Sequence, residues 1–122
     1  MKVTHTHTRS AIITRFRDGD TVIIHVECVH CGSLFKEILR LQHIESYEPA
    51  GETKPMALHV AKVLTERFRG RIGYLIPDKI RRDKYRRIIG DILLDEELLS
   101  NLIVQQGLAW YGVGRSNPNA SL

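Results

Sequence analysis

Residues 10–27 read SAIITRFRDGDTVIIHVE, two β-rich runs on either side of an Asp-Gly-Asp turn. Such a turn is a strong hairpin signal, the glycine supplying the positive φ of a tight reversal. In the first run, residues 10–17, the two-residue period of a strand puts Ile12, Thr14 and Phe16 on one face. The second, residues 21–27, sets Val22, Ile24 and Val26 against Thr21, His25 and Glu27, the alternation of a half-buried strand. A short loop, CVHCGS, leads into a third run at residues 34–42, so the chain opens as an antiparallel meander.

The third run continues as ILRLQHIESYE, residues 38–48. Arg40 lies between Leu39 and Leu41, and a strand sends those neighbours to the opposite face, so the guanidinium leaves on a defined side. Glu45 and Glu48 follow the end of the strand. Residues 46–55, SYEPAGETKP, form a loop. A helix comes next: Ala57, Val60, Ala61, Leu64 and Phe68 recur at helical spacing, with Pro55 in the first turn and Gly70 at the carboxy-terminal cap. Residues 71–76 read as a fourth strand stopped by Pro77, and residues 88–94 as a fifth. Asp95 is the expected cap of a second helix, Glu96 and Glu97 complement its positive end, Leu98, Leu99, Leu102 and Ile103 form its buried stripe, and Gly107 ends it. Five strands and two helices make an α+β fold dominated by β structure. Closing the strands into a small barrel removes the sheet edges.

With 122 residues, 43% apolar and 26% charged, the chain has room for one core and no second domain. The expected division is a flexible stretch at 1–7, one domain at 8–112 and a flexible tail at 113–122. A formal charge of +4 suits a polyanionic partner. No run approaches the roughly 20 apolar residues of a membrane helix. MKVTHTHTRS lacks the apolar centre of a signal peptide, so the chain reads as a soluble monomer, either cytoplasmic or secreted with its leader removed. Cys28 and Cys31 have the spacing of half a zinc site, without a second CxxC or HxxxH to complete it. His5, His7, His25 or His30 could supply further ligands if the amino terminus folded back; the plainer reading is a hairpin loop with two thiols.

Four features carry chemistry. Asp18 and Asp20 crowd the first turn, and Glu45 and Glu48 end the third strand. Hard cations take oxygen ligands from several segments, and carboxylates at neighbouring strand ends provide them. The run from Lys79 through Arg81, Arg82, Lys84 and Arg86 to Arg87 combines positive charge for phosphate with Tyr85 for stacking. Trp110 and Tyr111 follow the second helix, where their rings either plug the core or face a nucleotide; Trp110 reads as a core ring.

In this order DGDTV, RLxxIxxxE, DKYxR and QGLA, spread over residues 8–111, resemble the staphylococcal nuclease (thermonuclease) family. The resemblance implies a five-stranded OB-type barrel with two main helices, and a calcium-dependent phosphodiesterase acting on DNA and RNA. It implies Arg40 and Arg87 as catalytic arginines and Glu48 as general base. Asp20, Glu45 and the Ser46 carbonyl fall at the metal, with Asp18 near it. Lys84 and Tyr85 match the pair that contacts a terminal phosphate, and Tyr111 lies near the family's ring residues. Where the family usually reads GIDAPE this chain reads HIESYE, so Glu45 replaces an aspartate and Tyr47 a proline. Those two departures favour the alternative of an OB-type module that binds nucleic acid without efficient turnover.

Overall fold

The elements run β1 (Arg9–Asp18), β2 (Thr21–Glu27), β3 (Leu34–Leu41), β4 (Ile44–Glu45), a 3₁₀ turn (Gly51–Thr53), α1 (Lys54–Phe68), β5 (Ile72–Arg82), β6 (Ile88–Leu94), β7 (Glu97–Leu98), α2 (Leu99–Gln105) and β8 (Trp110–Tyr111). This computed structural model describes residues 9–28 and 30–112, with the side chains of 79–81 left aside. The expected terminal segments, 1–7 and 113–122, lie outside the described residues. β1, β2 and β3 form the expected antiparallel meander, and β5 joins β1 on its other side. β6 pairs antiparallel with β5 and parallel with β3 through Leu39↔Ile88, Arg40↔Ile89 and Leu41↔Gly90. That parallel seam closes a five-stranded barrel of OB type, to which β7 adds a short extra strand.

Alternation fills the barrel. Ile13, Ile24, Leu39, Leu75 and Ile92 are fully buried, each contributing roughly 1.5–3 kcal/mol from apolar burial. α1 buries the stripe its spacing predicts, Ala57, Val60, Ala61, Leu64 and Phe68. It lies against β1, where Thr65 Oγ1 accepts the Phe16 N–H at 2.9 Å and the Phe16 and Phe68 rings meet at 6.1 Å. Gly70, at φ 85°, ends the helix and donates its N–H to the Ile13 carbonyl at 2.8 Å.

Several local expectations are corrected. On β1 the core face is Ala11, Ile13 and Phe16, not Ile12, Thr14 and Phe16. The register slips between Ile13 and Arg15, and this bulge at Thr14 reverses the alternation partway along the strand. Gly19 does not have the expected positive φ. Its value is its missing side chain, because a Cβ there would overlap the side chain of Ser46. The fourth strand continues through Pro77, which pairs with Gly90.

Asp95 is not a helix cap. It occupies the two-residue turn between β6 and β7, at φ 57°, a conformation aspartate tolerates better than most residues. α2 therefore starts at Leu99, with no acidic residue in its first turn. One of its free N–H groups, that of Ser100, is met from across the fold. Asp91, buried on β6, accepts the Ser100 N–H at 3.1 Å on Oδ1 and the Ser100 hydroxyl on Oδ2. Trp110 is not a core ring either, being 45% exposed on β8, which pairs with β4 through Ile44↔Tyr111 and Glu45↔Trp110.

Asp91 thus caps a helix that has no cap of its own. Asp91→Ala leaves the Ser100 donors buried without a partner and should cost about 1–3 kcal/mol. Urea unfolding monitored by circular dichroism checks this, and a loss below about 0.5 kcal/mol, the size of an ordinary surface substitution, would show that α2 does not depend on the contact.

Candidate functional site

Arg40 comes to the site through two registers. Thr21↔Arg40 on the β2 side sets it beside the DGD turn, and the Leu41 N–H donates to the Asp20 carbonyl at 2.8 Å. Its side chain is only 14% exposed, which removes the reading of a solvated surface arginine. Nη1 donates to the carbonyls of Leu41 and Ile44. Nη2 lies 3.5 Å from Asp20 Oδ2 and 3.2 Å from Glu45 Oε1. Backbone acceptors fix one edge of the guanidinium and two carboxylates meet the other.

The parallel seam brings the turn before β6 to the same end of the barrel. Asp83 organises that turn: Oδ1 accepts the N–H groups of Tyr85 and Arg87, both at 2.9 Å, and Oδ2 accepts Arg87 Nε–H at 2.7 Å. Burial opposes its charged form, but these donors outweigh it and hold the carboxyl below its ordinary range. Arg87 is thereby aimed into a cleft of about 300 Å³ that it shares with Asp18, Asp20, Arg40, Glu45 and Glu48. Larger hollows exist, such as one of about 590 Å³ beside α1, but its lining of Phe16, Ala61, Thr65 and surface charges lacks this convergence of acids on arginines.

Lys84 and Tyr85 lie exposed on the same turn as Arg87. The Tyr85 ring is 67% exposed, with Lys84 Nζ 5.2 Å and the Arg87 guanidinium carbon 5.4 Å from its centroid. Arg82 is committed elsewhere, bidentate to Glu37 at 3.0 Å for both bonds. Four expected residues are not in the cleft lining, namely Lys84 and Tyr85 on the exposed turn, Ser46 and Tyr111. Ser46 is buried beside it, its hydroxyl donating to the Leu108 carbonyl at 2.9 Å. Tyr111 is packed against the core and donates its hydroxyl to Asn101 Oδ1 at 2.8 Å.

Sequence reasoning missed Arg17, Thr21 and Pro49 in the lining. Arg17 and Thr21 flank the DGD turn, so hairpin geometry was the available signal. It also missed Asp83 as the hub of the basic turn, although an aspartate two residues before Tyr85 is the pattern of a side chain that accepts from its own backbone.

Charge is concentrated here at a cost. Burial, and then the neighbouring Asp18, push the pKa of Asp20 up to about 7, against the opposing pull of Arg40 and the hydrogen bond from Thr21. The folded protein thus holds a proton that an unfolded aspartate releases near pH 3.9.

A family model for the staphylococcal nuclease homologues matches residues 38–121. The match takes in the arginine strand, both carboxylates that follow it and the basic turn, over more than half of the chain. With the closed barrel around them, these features define a nuclease-type OB domain. The chain belongs to the staphylococcal nuclease homologue family. No curated protein matches it. Among the described residues no helix is long and apolar enough to cross a membrane.

The Asp20 shift has a signed consequence. Between about pH 4 and pH 7 the folded state binds one proton more than the unfolded chain, so in metal-free protein this group weakens folding progressively as pH rises. The stability of Asp20→Asn relative to wild type, measured by urea unfolding in chelator, should therefore increase from pH 4 to pH 7 and level off above it. A difference independent of pH would rule out burial of Asp20 as its source.

Proposed function

We propose that this protein is a cation-assisted phosphodiesterase that hydrolyses DNA and RNA, with Glu48 as general base and Arg40 and Arg87 stabilising the transition state. The observation that carries this reading is the gathering of Asp20, Glu45, Glu48, Arg40 and Arg87 around one cleft. Family membership supports the class of reaction.

Calcium is the cation this reading assigns to the cleft, where Asp20 and Glu45 are two candidate ligands that form no cluster of three or more with other described residues. Asp20 Oδ2 and Glu45 Oε1, from separate segments, both approach Arg40 Nη2, which brings two carboxylate oxygens to one side of the cleft. Hard cations take such ligands, and calcium tolerates the longer reach of a glutamate better than magnesium does. Asp20 and Glu45 would hold the ion, with the Ser46 carbonyl as a further donor. When bound, it supplies charge against the phosphate and makes a coordinated water more acidic.

Hydrolysis must bring an oxygen nucleophile to an already anionic phosphorus and then stabilise the charge that gathers on the equatorial oxygens. Glu48, exposed at the cleft, removes the proton from the attacking water. Arg40 and Arg87 donate charged hydrogen bonds that tighten as the transition state forms, a task suited to the planar guanidinium. Lys84 meets a terminal phosphate and Tyr85 offers its exposed ring for stacking.

Glu48→Gln should retain binding to single-stranded DNA and lose about 10²–10⁴-fold in the rate of acid-soluble nucleotide release in calcium. If wild type and Glu48→Gln are equally inactive with several divalent ions, the hydrolytic reading fails. The rival reading, a module that binds without turnover, draws on the ion pair of Glu45 with Arg40, which occupies a metal-ligand position and a catalytic arginine together. It is distinguished by salt-sensitive DNA binding in the absence of any calcium-dependent cleavage.

A further inference from the structure

β1 carries two register slips against β2, one between Ile13 and Arg15 and one between Phe16 and Asp18. The first reverses the alternation of the strand, so Phe16 turns into the core while Arg15 and Arg17 stand exposed. The two arginines open onto different hollows. Arg17 lines the cleft on the side of the Asp-Gly-Asp turn. Arg15 lines the hollow of about 590 Å³ beside α1, together with Lys62 of the helix and Arg69 at its carboxy-terminal cap. Phe16 and Arg17 are consecutive residues, one in each lining, so this hollow continues the cleft along the end of β1.

Its charge suits a polyanion. Arg15, Lys62 and Arg69 face a single acidic residue, Glu66. Among the described residues Arg15, Arg17 and Lys62 enter no ion pair, whereas Arg40, Arg71, Arg82 and Arg87 each meet a carboxylate. Arg69 donates its Nε–H to the Thr14 carbonyl at 3.3 Å, which ties it to the bulge that presents Arg15. A second hollow bordered by α1, of about 630 Å³, sets Arg67 and Arg71 against Asp95, Glu96 and Glu97 and carries the opposite balance. Of the two, the one continuous with the cleft is the one with surplus positive charge. Its floor, Phe16 and Ala61, is almost closed to solvent and offers no ring face on which a base could stack. Contacts there fall on phosphate and sugar, which position a strand without reading its sequence.

We infer that the substrate strand extends beyond the cleft along this face, its phosphates passing from Arg17 to Arg15 and on to Lys62 and Arg69. The identity of the ligand rests on the phosphodiesterase reading above. Arg15 and Arg17 lie about 7 Å apart along the strand, and Lys62 and Arg69 about 10 Å apart along the helix. Phosphates of a stacked strand rise by ~3.4 Å each, so the face takes more than one. The protein therefore holds long strands better than short ones, through contacts that leave the reacting groups untouched.

The test is fluorescence anisotropy with the full chain in chelator, so that no strand is cut. The probes are a labelled single strand of about 16 nucleotides, the upper site size of one OB fold, and a labelled dinucleotide that the cleft alone can hold. Arg15→Gln/Lys62→Gln should bind the long strand roughly tenfold more weakly near 0.1 M salt, and its slope of log K against log salt should be shallower by about 1.4, two phosphate contacts at about 0.7 each. Its affinity for the dinucleotide should match wild type. Arg67→Gln, which removes a charge from α1 beside the other hollow, should leave both affinities near wild type. Circular dichroism confirms that each variant is folded. An unchanged salt slope for the long strand overturns the inference, as does equal weakening of both probes or an effect of Arg67→Gln as large per charge. Any of these leaves the phosphodiesterase reading standing, whereas failure of wild type to bind either probe overturns both.

Discussion

The structure depends on three residue pairs, Leu39↔Ile88, Arg40↔Ile89 and Leu41↔Gly90, through which β3 and β6 run parallel and close the barrel. A parallel pair cannot be joined by a tight turn, so everything from β4 through α1 and β5 serves as the crossover. The entropy of closing so long a loop grows only slowly with its length, and burial of the α1 stripe against β1 helps offset it. Gly90, which pairs with Leu41 across the seam, is required on its other side, where a Cβ would overlap the Ile76 carbonyl of β5. Without this seam the strand bearing Arg40 and the turn bearing Arg87 would have no reason to meet. With it, an acidic turn, an arginine strand, a carboxylate loop and a basic turn share one end of the fold.

What gathers there does not favour stability. Arg40 is largely buried with two carboxylates against it, and removing ions from water commonly costs as much as their mutual attraction returns. Asp20 is held so far from water, and so near Asp18, that its proton leaves only near neutrality. A core of leucine and isoleucine would serve the barrel better. Perturbed carboxylates and an arginine clamped by backbone acceptors are features that set this cluster apart from the rest of the barrel. Asp83 adds to this pattern by spending both carboxylate oxygens on fixing Arg87 and its turn.

Much of this was legible in the sequence. Alternation located the meander, the helical stripe Ala57 to Phe68 was read residue by residue, and the order of short motifs pointed to the family that residues 38–121 match. The failures share a physical origin, in that each is a place where a tertiary contact overrides a local rule. The bulge at Thr14 switches the faces of β1, and no residue type announces it. Pro77 does not stop its strand, because pairing with Gly90 on β6 carries β5 through it. Asp95 reads as a cap, yet the cap of α2 is Asp91, nine residues before Ser100 and on another element. Gly19 reads as a φ requirement, yet the constraint is the neighbouring Ser46.

The same principle bears on the two departures from the family pattern. A proline ahead of the base restricts the backbone by its ring alone. Tyr47 supplies no such restriction, but its ring packs on the core and meets Trp110 edge-on at 5.3 Å and 83°. On either side of it, the Ser46 hydroxyl is anchored to the Leu108 carbonyl and Thr53 Oγ1 donates to the Glu48 carbonyl at 2.7 Å. The β4–β8 ladder fixes Glu45 opposite Trp110 itself. The loop that carries Glu48 is therefore held from both ends and from below by side chains drawn from the carboxy-terminal segment and the first helical turn. Rigidity that a proline provides through its covalent ring is here distributed over packing and hydrogen bonds, and for that reason the exposed Trp110, which a reading of the chain alone assigns to the core, stands beside the loop it braces.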